Sequence, residues 1–289
     1  MGKISTSLIV AALLAVLSMS LVPILIRTTS ANEFTIGIAR IFIALSLLSP
    51  FVFFKKEKTS ISLQDWKQLA VVGAVFGGHW LTYFISIKTA NASIAALALS
   101  TYGIHLLLLN WVFKKQQIRA IEWLAVLMCF VGCILIAPSL NLKDKMTIGM
   151  LIGIFSGFLY ACLPLLHQRI LHVPTMTRAW GQFLFAGIIF FPFFTKTDWS
   201  LAVEDWWRLL ALGVICTVIG HSLWVKVSSE LPGVITGVVY YLYVPIAMIS
   251  SYYLLKEVIT PVMVVGAILI VGANIMIALM TWRRTRGLR

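Results

Sequence analysis

Ten long apolar stretches fill almost the whole chain, and they limit its possible folds more than any motif does. They run over residues 4–26, 34–54, 66–87, 92–113, 121–138, 147–167, 176–194, 206–225, 233–255 and 261–282. A helix needs about 20 consecutive apolar residues to cross a bilayer. With 60% apolar residues, 11% charged and a mean hydropathy of +0.97, a water-soluble core is untenable. Barrel strands would alternate in polarity over about 10 residues. Continuous runs twice that length predict helices, the other structure that satisfies its backbone in lipid. The expected class is an all-α membrane protein with ten transmembrane helices.

The net charge of +13 is distributed as a topology signal. On a ten-crossing path, the N-terminus, the even loops and the C-terminus carry 15 Lys and Arg, the opposite face carries 7, and Arg40 stays inside a span. The positive-inside rule then predicts cytoplasmic N- and C-termini, and the basic tail reads as an anchor rather than a nucleic-acid site. Cys129, Cys133, Cys162 and Cys216 all fall in spans, so neither a disulfide framework nor a metal is expected. The first run is too long for a signal-peptide core and is expected to be retained.

The second half repeats the first at an offset near 141 residues. Pro23 aligns with Pro164, Pro50 with Pro192, Asp65-Trp66 with Asp205-Trp206, Gly73 with Gly213, Lys88 with Lys226 and Gly132 with Gly272. Each copy holds five spans, an odd number, so the second enters the membrane from the opposite face. The expected domains are residues 1–140 and 141–289, two inverted five-helix repeats. Inverted repeats recur in secondary transporters, with the substrate site between them near the midplane. The plainer reading is duplication as a route to a larger bundle.

Several segments carry a family resemblance: Ile38-Ala39-Arg40-Ile41, Gly78-His79-Trp80-Leu81-Thr82-Tyr83-Phe84 with Lys88, Ala92-Ser93, Trp224-Val225-Lys226, Leu231-Pro232, and Pro245 through Leu254-Leu255-Lys256-Glu257. In this order and spacing the chain resembles ten-helix exporters of the EamA type, within the drug/metabolite transporter superfamily. The resemblance implies a cavity lined mainly by spans one, three, four, six, eight and nine, and no particular substrate. Two departures stand out. Gln116 occupies the place matching Glu257, and Ser100-Thr101-Tyr102-Gly103-Ile104 lacks a counterpart of Pro245.

None of the ten acidic residues lies near the middle of a span, which argues against a buried carboxylate relay or a carboxylate cage for a metal. Histidines sit there instead. Helical spacing groups His79 with Tyr83, Tyr102 with His105, His221 with Trp224, and Tyr240 with Tyr243. These eight are the candidate substrate-binding residues, rings that hold an organic solute and imidazoles able to titrate with transport. The plainer reading gives each His an interhelical hydrogen bond worth about 0.6–2 kcal/mol. Pro23, Pro164, Pro245 and Gly78 are candidate kinks or gates, since proline removes an i−4 bond; proline is also common in static membrane helices. Arg40 reads as snorkelling to lipid phosphate, as a structural partner of backbone carbonyls or Gln182, or, as the lesser reading, as a group in direct contact with an anionic substrate. Glu257 joins these two as a structural polar group.

No catalytic set, phosphate-cradling loop or cofactor motif is present in the sequence, so an enzyme is not expected. The expectation is a secondary transporter that exports a small polar or amphipathic, amino-acid-like metabolite by alternating access, proton-coupled or uncoupled. Its partners would be the lipid bilayer and the solute, in a bacterial cytoplasmic membrane, with a monomer sufficient. The rivals are an importer of an organic cation such as choline, suited to aromatic faces, and a non-transporting scaffold or receptor.

Overall fold

The computed structural model describes residues 6–54, 61–115, 117–136, 141–230 and 239–285. Gln116, Leu231 and Pro232 lie outside the described residues. All regular structure among the described residues is helical. Among the described residues, eight helical segments are long and apolar enough to cross a membrane, and two shorter apolar helices, Ala120–Ile136 and Val239–Leu255, lie in the remaining apolar runs.

Along the chain the first half contains α1 (Thr6–Ser20), α2 (Val22–Thr28), α3 (Glu33–Phe53), α4 (Leu63–Thr89), α5 (Ala92–Leu99), α6 (Tyr102–Lys114) and α7 (Ala120–Ile136). There follow α8 (Lys145–His167), α9 (Thr175–Phe190), α10 (Val203–Ala211), α11 (Ser222–Glu230), α12 (Tyr243–Ser250) and α13 (Pro261–Thr285). A π-helical stretch, Leu212–His221, joins α10 to α11, and a second, Ser251–Leu255, follows α12.

Helix starts follow local chemistry. Asn32 and Asn91 accept from the backbone N–H groups of Thr35 and Ile94, at 2.9 and 2.8 Å, and so cap α3 and α5. Ser62 and Asp65 form a reciprocal capping box at the start of α4. Helix ends meet in two sets. At one end of the bundle Ser30 bonds Asp205, Asn32 bonds Lys196, Thr35 bonds Asp198, and Ser93 bonds Glu257. At the other, Asp65 pairs with His172 and Lys114 with Gln168.

The helix α4 lies centrally against α8 and α9, while α13 lies along α7. That second crossing is backbone to backbone. A Cβ on Gly132 would stand 2.8 Å from the Gly266 carbonyl oxygen, and one on Gly266 would stand 2.9 Å from that of Gly132. Small residues permit such approach in membranes, where packing drives association. Gly272, the sequence partner of Gly132, faces open space. Large side chains such as Phe42, Phe113, Phe130 and Ile268 project from the outer surface, a girdle suited to acyl chains.

The two halves share backbone irregularities. The non-glycine residues with positive φ among those described are Lys115 (φ 52°) and Lys256 (φ 55°), each in the left-handed region just past a helix end. They stand 141 residues apart, and so do the helix interruptions at Thr101 and Leu242.

Candidate functional site

Three interrupted helices surround one buried chamber. The first span breaks at Leu21, just before Pro23, whose ring removes the N–H that would bond the Met19 carbonyl. The fourth breaks at Ser100–Thr101 without proline. There the Ser100 and Thr101 hydroxyls donate to the carbonyls of Leu97 and Ala98, at 2.6 and 2.7 Å. The Asn274 side chain donates to the freed Ser100 carbonyl at 3.1 Å and accepts from the Tyr241 hydroxyl at 2.9 Å. The ninth breaks at Leu242, between Tyr240 and Tyr243. Residues at these breaks line a chamber of about 30 Å³, together with Arg40, His79, Trp80, Tyr83, Phe84, Tyr160 and His221.

Arg40 dominates its electrostatics. The side chain has 0% solvent exposure, so it does not snorkel to the lipid surface. Its Nε donates to Thr217 Oγ1 at 2.8 Å, and Thr217 in turn donates to the Leu212 carbonyl at 2.8 Å within the π-helical stretch. The guanidinium carbon lies 4.0 Å from the Trp80 ring centroid and 5.3 Å from that of Phe84. Both terminal nitrogens are buried with no hydrogen-bond partner among the described residues. The ion pairs found there, His172–Asp65 and Arg208–Asp205, do not involve Arg40.

His79 ties α4 to α8. Ser156 Oγ donates to the His79 carbonyl at 2.9 Å, which uses its only hydrogen. The 2.8 Å contact from His79 Nδ1 to Ser156 Oγ is therefore assigned as Nδ1–H donating, with Nε2 left as an acceptor. The Tyr83 and Tyr243 hydroxyls bond each other across the chamber, and the Tyr240 and Tyr243 rings stack at 5.9 Å.

Tyr160 and His221 are shared walls between the chamber and a wider vestibule of about 360 Å³. Tyr102, Pro164, Gln182 and Trp224 line this vestibule, which reaches Gln168 and Ser228 at the end of the bundle where Lys114 meets Gln168. The opposite end is laced shut. Lys88 Nζ donates to the Thr29 carbonyl at 2.5 Å, and Arg27 donates to the Lys88 carbonyl at 3.0 Å. The Glu257 carboxylate accepts from the backbone N–H groups of Ala92 and Ser93, at 2.9 and 3.0 Å, on the positive end of α5.

The EamA-like transporter family matches this chain twice, over residues 6–137 and 147–279. The chain belongs to that family. It is an integral membrane protein and a transporter of the drug/metabolite superfamily. An "Uncharacterized transporter" of Archaeoglobus fulgidus is 24% identical over 263 residues, 87% of this chain and 90% of the relative. Among the Bacillus subtilis relatives, the uncharacterized transporter YdfC is 22% identical (74% of this chain, 72% of the relative) and YwfM 21% (70% of each). A crystal structure superposes with a TM-score of 0.70 at 15% identity, over 97% of this chain and 99% of the other, a likeness of fold.

In this EamA-like transporter most of the residues singled out from the sequence converge. His79, Tyr83, Tyr240, Tyr243 and His221 line the chamber, while Tyr102 and Trp224 line the vestibule. His105 does neither. It packs against Phe158, with Nε2 3.3 Å from Thr101 Oγ1. Gln182 bonds His167 at 2.8 Å rather than Arg40. Pro245 lines an outer apolar groove between α12 and α13, and a Cβ on Gly78 would meet Leu159 at ordinary contact distance. Tyr160, in an aromatic-rich span, carries no signal in the sequence, and the sequence leaves the direction of Arg40 open; both line the chamber.

Proposed function

We propose that this transporter moves a small polar or amphipathic, amino-acid-like metabolite by alternating access between two inverted five-helix repeats, residues 1–140 and 141–289. The carrying observation is a buried polar and aromatic chamber that adjoins a vestibule at one end of the bundle and is sealed by hydrogen bonds at the other. The repeat reading is supported by the double family match and by the 141-residue spacing of Lys115 and Lys256. With ten crossings, the Lys and Arg distribution supports a cytoplasmic side for both termini and the vestibule, in what the family resemblance suggests is a bacterial plasma membrane. Outward movement follows the family resemblance.

Choline-type import is disfavoured by a specific feature. A quaternary ammonium about 5 Å from the Arg40 guanidinium meets a repulsion of about 3 kcal/mol at an effective dielectric near 20. A scaffold or receptor role calls for sizeable extramembrane segments, and the loops between the apolar runs are short.

Counterflow in proteoliposomes tests the reading. Vesicles preloaded with a mixture of amino acids, organic acids, amines and nucleobases should accumulate the labelled substrate transiently and saturably. No counterflow for any class defeats it.

A further inference from the structure

We propose that Arg40 is the recognition group for a carboxylate, so that the substrate is a small amphipathic monocarboxylate whose acid group enters the chamber while its body rests in the vestibule. This builds on the transport reading above and specifies the chemistry of the same site.

Three observations carry it. The first is the orientation of the guanidinium. Thr217 holds Nε, and the Trp80 and Phe84 rings hold the cationic plane, which leaves the two terminal nitrogens buried without a protein partner. Those nitrogens carry four of the five N–H donors in the fork geometry that matches a carboxylate edge. A purely structural arginine would direct them at carbonyls or acids. The second is size. About 30 Å³ has room for roughly two water-sized groups, a fit for the two oxygens of a carboxylate but not for a whole metabolite. The adjoining 360 Å³ vestibule falls in the range of small-molecule sites. The third is the company. The groups beside Arg40 in the chamber are rings and hydroxyls, among them His79, Tyr83, Tyr243 and His221, and no carboxylate. They offer acceptors to a polar substituent and no competing negative charge to the guanidinium.

The full-length protein in lipid nanodiscs is titrated with two matched series, isovalerate with isovaleramide and isoamylamine, and phenylacetate with phenylacetamide and phenethylamine. L-Leucine, sodium chloride and sodium phosphate complete the set, and binding is read by calorimetry and thermal shift. At least one carboxylate should bind roughly tenfold to a hundredfold more tightly than its amide, the range lost with a charge-assisted hydrogen bond. Arg40→Gln should erase that preference, whereas Arg40→Lys should keep part of it, as a point charge without the fork. If the Arg40 variants do not fold, Thr217→Val keeps the charge but frees its anchor, and it should narrow the acid-to-amide ratio. Acid and amide binding alike, the amine binding best, chloride or phosphate matching the acids, or silence from every carboxylate would each overturn the proposal. Carboxylate binding without counterflow would defeat transport and leave this site standing. Counterflow confined to neutral or cationic solutes would do the reverse.

Discussion

At the scale of single residues, the environment of Arg40 is the most demanding in the chain. A charged side chain inside a membrane helix costs about 2.5–3.5 kcal/mol on insertion scales. Here the compensation comes from one hydroxyl and two ring faces. Thr217→Val should lower stability by about 1–3 kcal/mol, because it strands a buried donor; thermal unfolding in detergent measures it, with Thr217→Ser as the neutral control. Ser156→Ala should cost a comparable amount, because it loses both side-chain bonds between Ser156 and His79, each worth roughly 0.6–2 kcal/mol in a membrane protein. The polar inventory of the site was legible in the sequence because intramembrane His, Tyr and Arg are few. The direction of Arg40 was not. An apolar window records that a cation sits two turns into a span, not which way it faces, and Thr217 reaches it from a π-helical stretch that ordinary helical spacing does not anticipate.

At the scale of elements, the interruptions matter more than the rods. Lengths and most boundaries of the spans could be read from the apolar runs; Pro23 and Pro245 lie beside two of the three breaks, whereas Pro164 lies inside the unbroken α8. The break at Ser100–Thr101 was invisible, since no proline announces it and its backbone is satisfied by Asn274, distant in sequence. Asn274→Leu should therefore destabilise the fold by about 1–3 kcal/mol by leaving the Ser100 carbonyl unsatisfied. It should also raise hydrogen exchange around α5 and α6. Such a result separates a built-in break from a chance irregularity. Gly266→Leu should prevent α13 from seating on α7, and loss of the monodisperse species on gel filtration is the readout.

At the scale of the whole molecule, asymmetry between the two ends makes a directional prediction. In a cysteine-free background, Ser228→Cys should react with an impermeant thiol reagent from the vestibule side only, while Val22→Cys in the chamber should be shielded from the Lys88 side. Adding Glu257→Ala releases the start of α5 and should open Val22→Cys to reagent from that side. Reaction from both sides without the Glu257 change would show that the seal does not hold.

A fixed cation at the heart of a carrier also has a kinetic signature. On the carboxylate proposal, a bound anion neutralises the guanidinium while access switches sides; on an empty return the unpaired charge stays in the closed, low-dielectric chamber. Homoexchange should therefore run faster than net efflux, and the gap should shrink in Arg40→Gln.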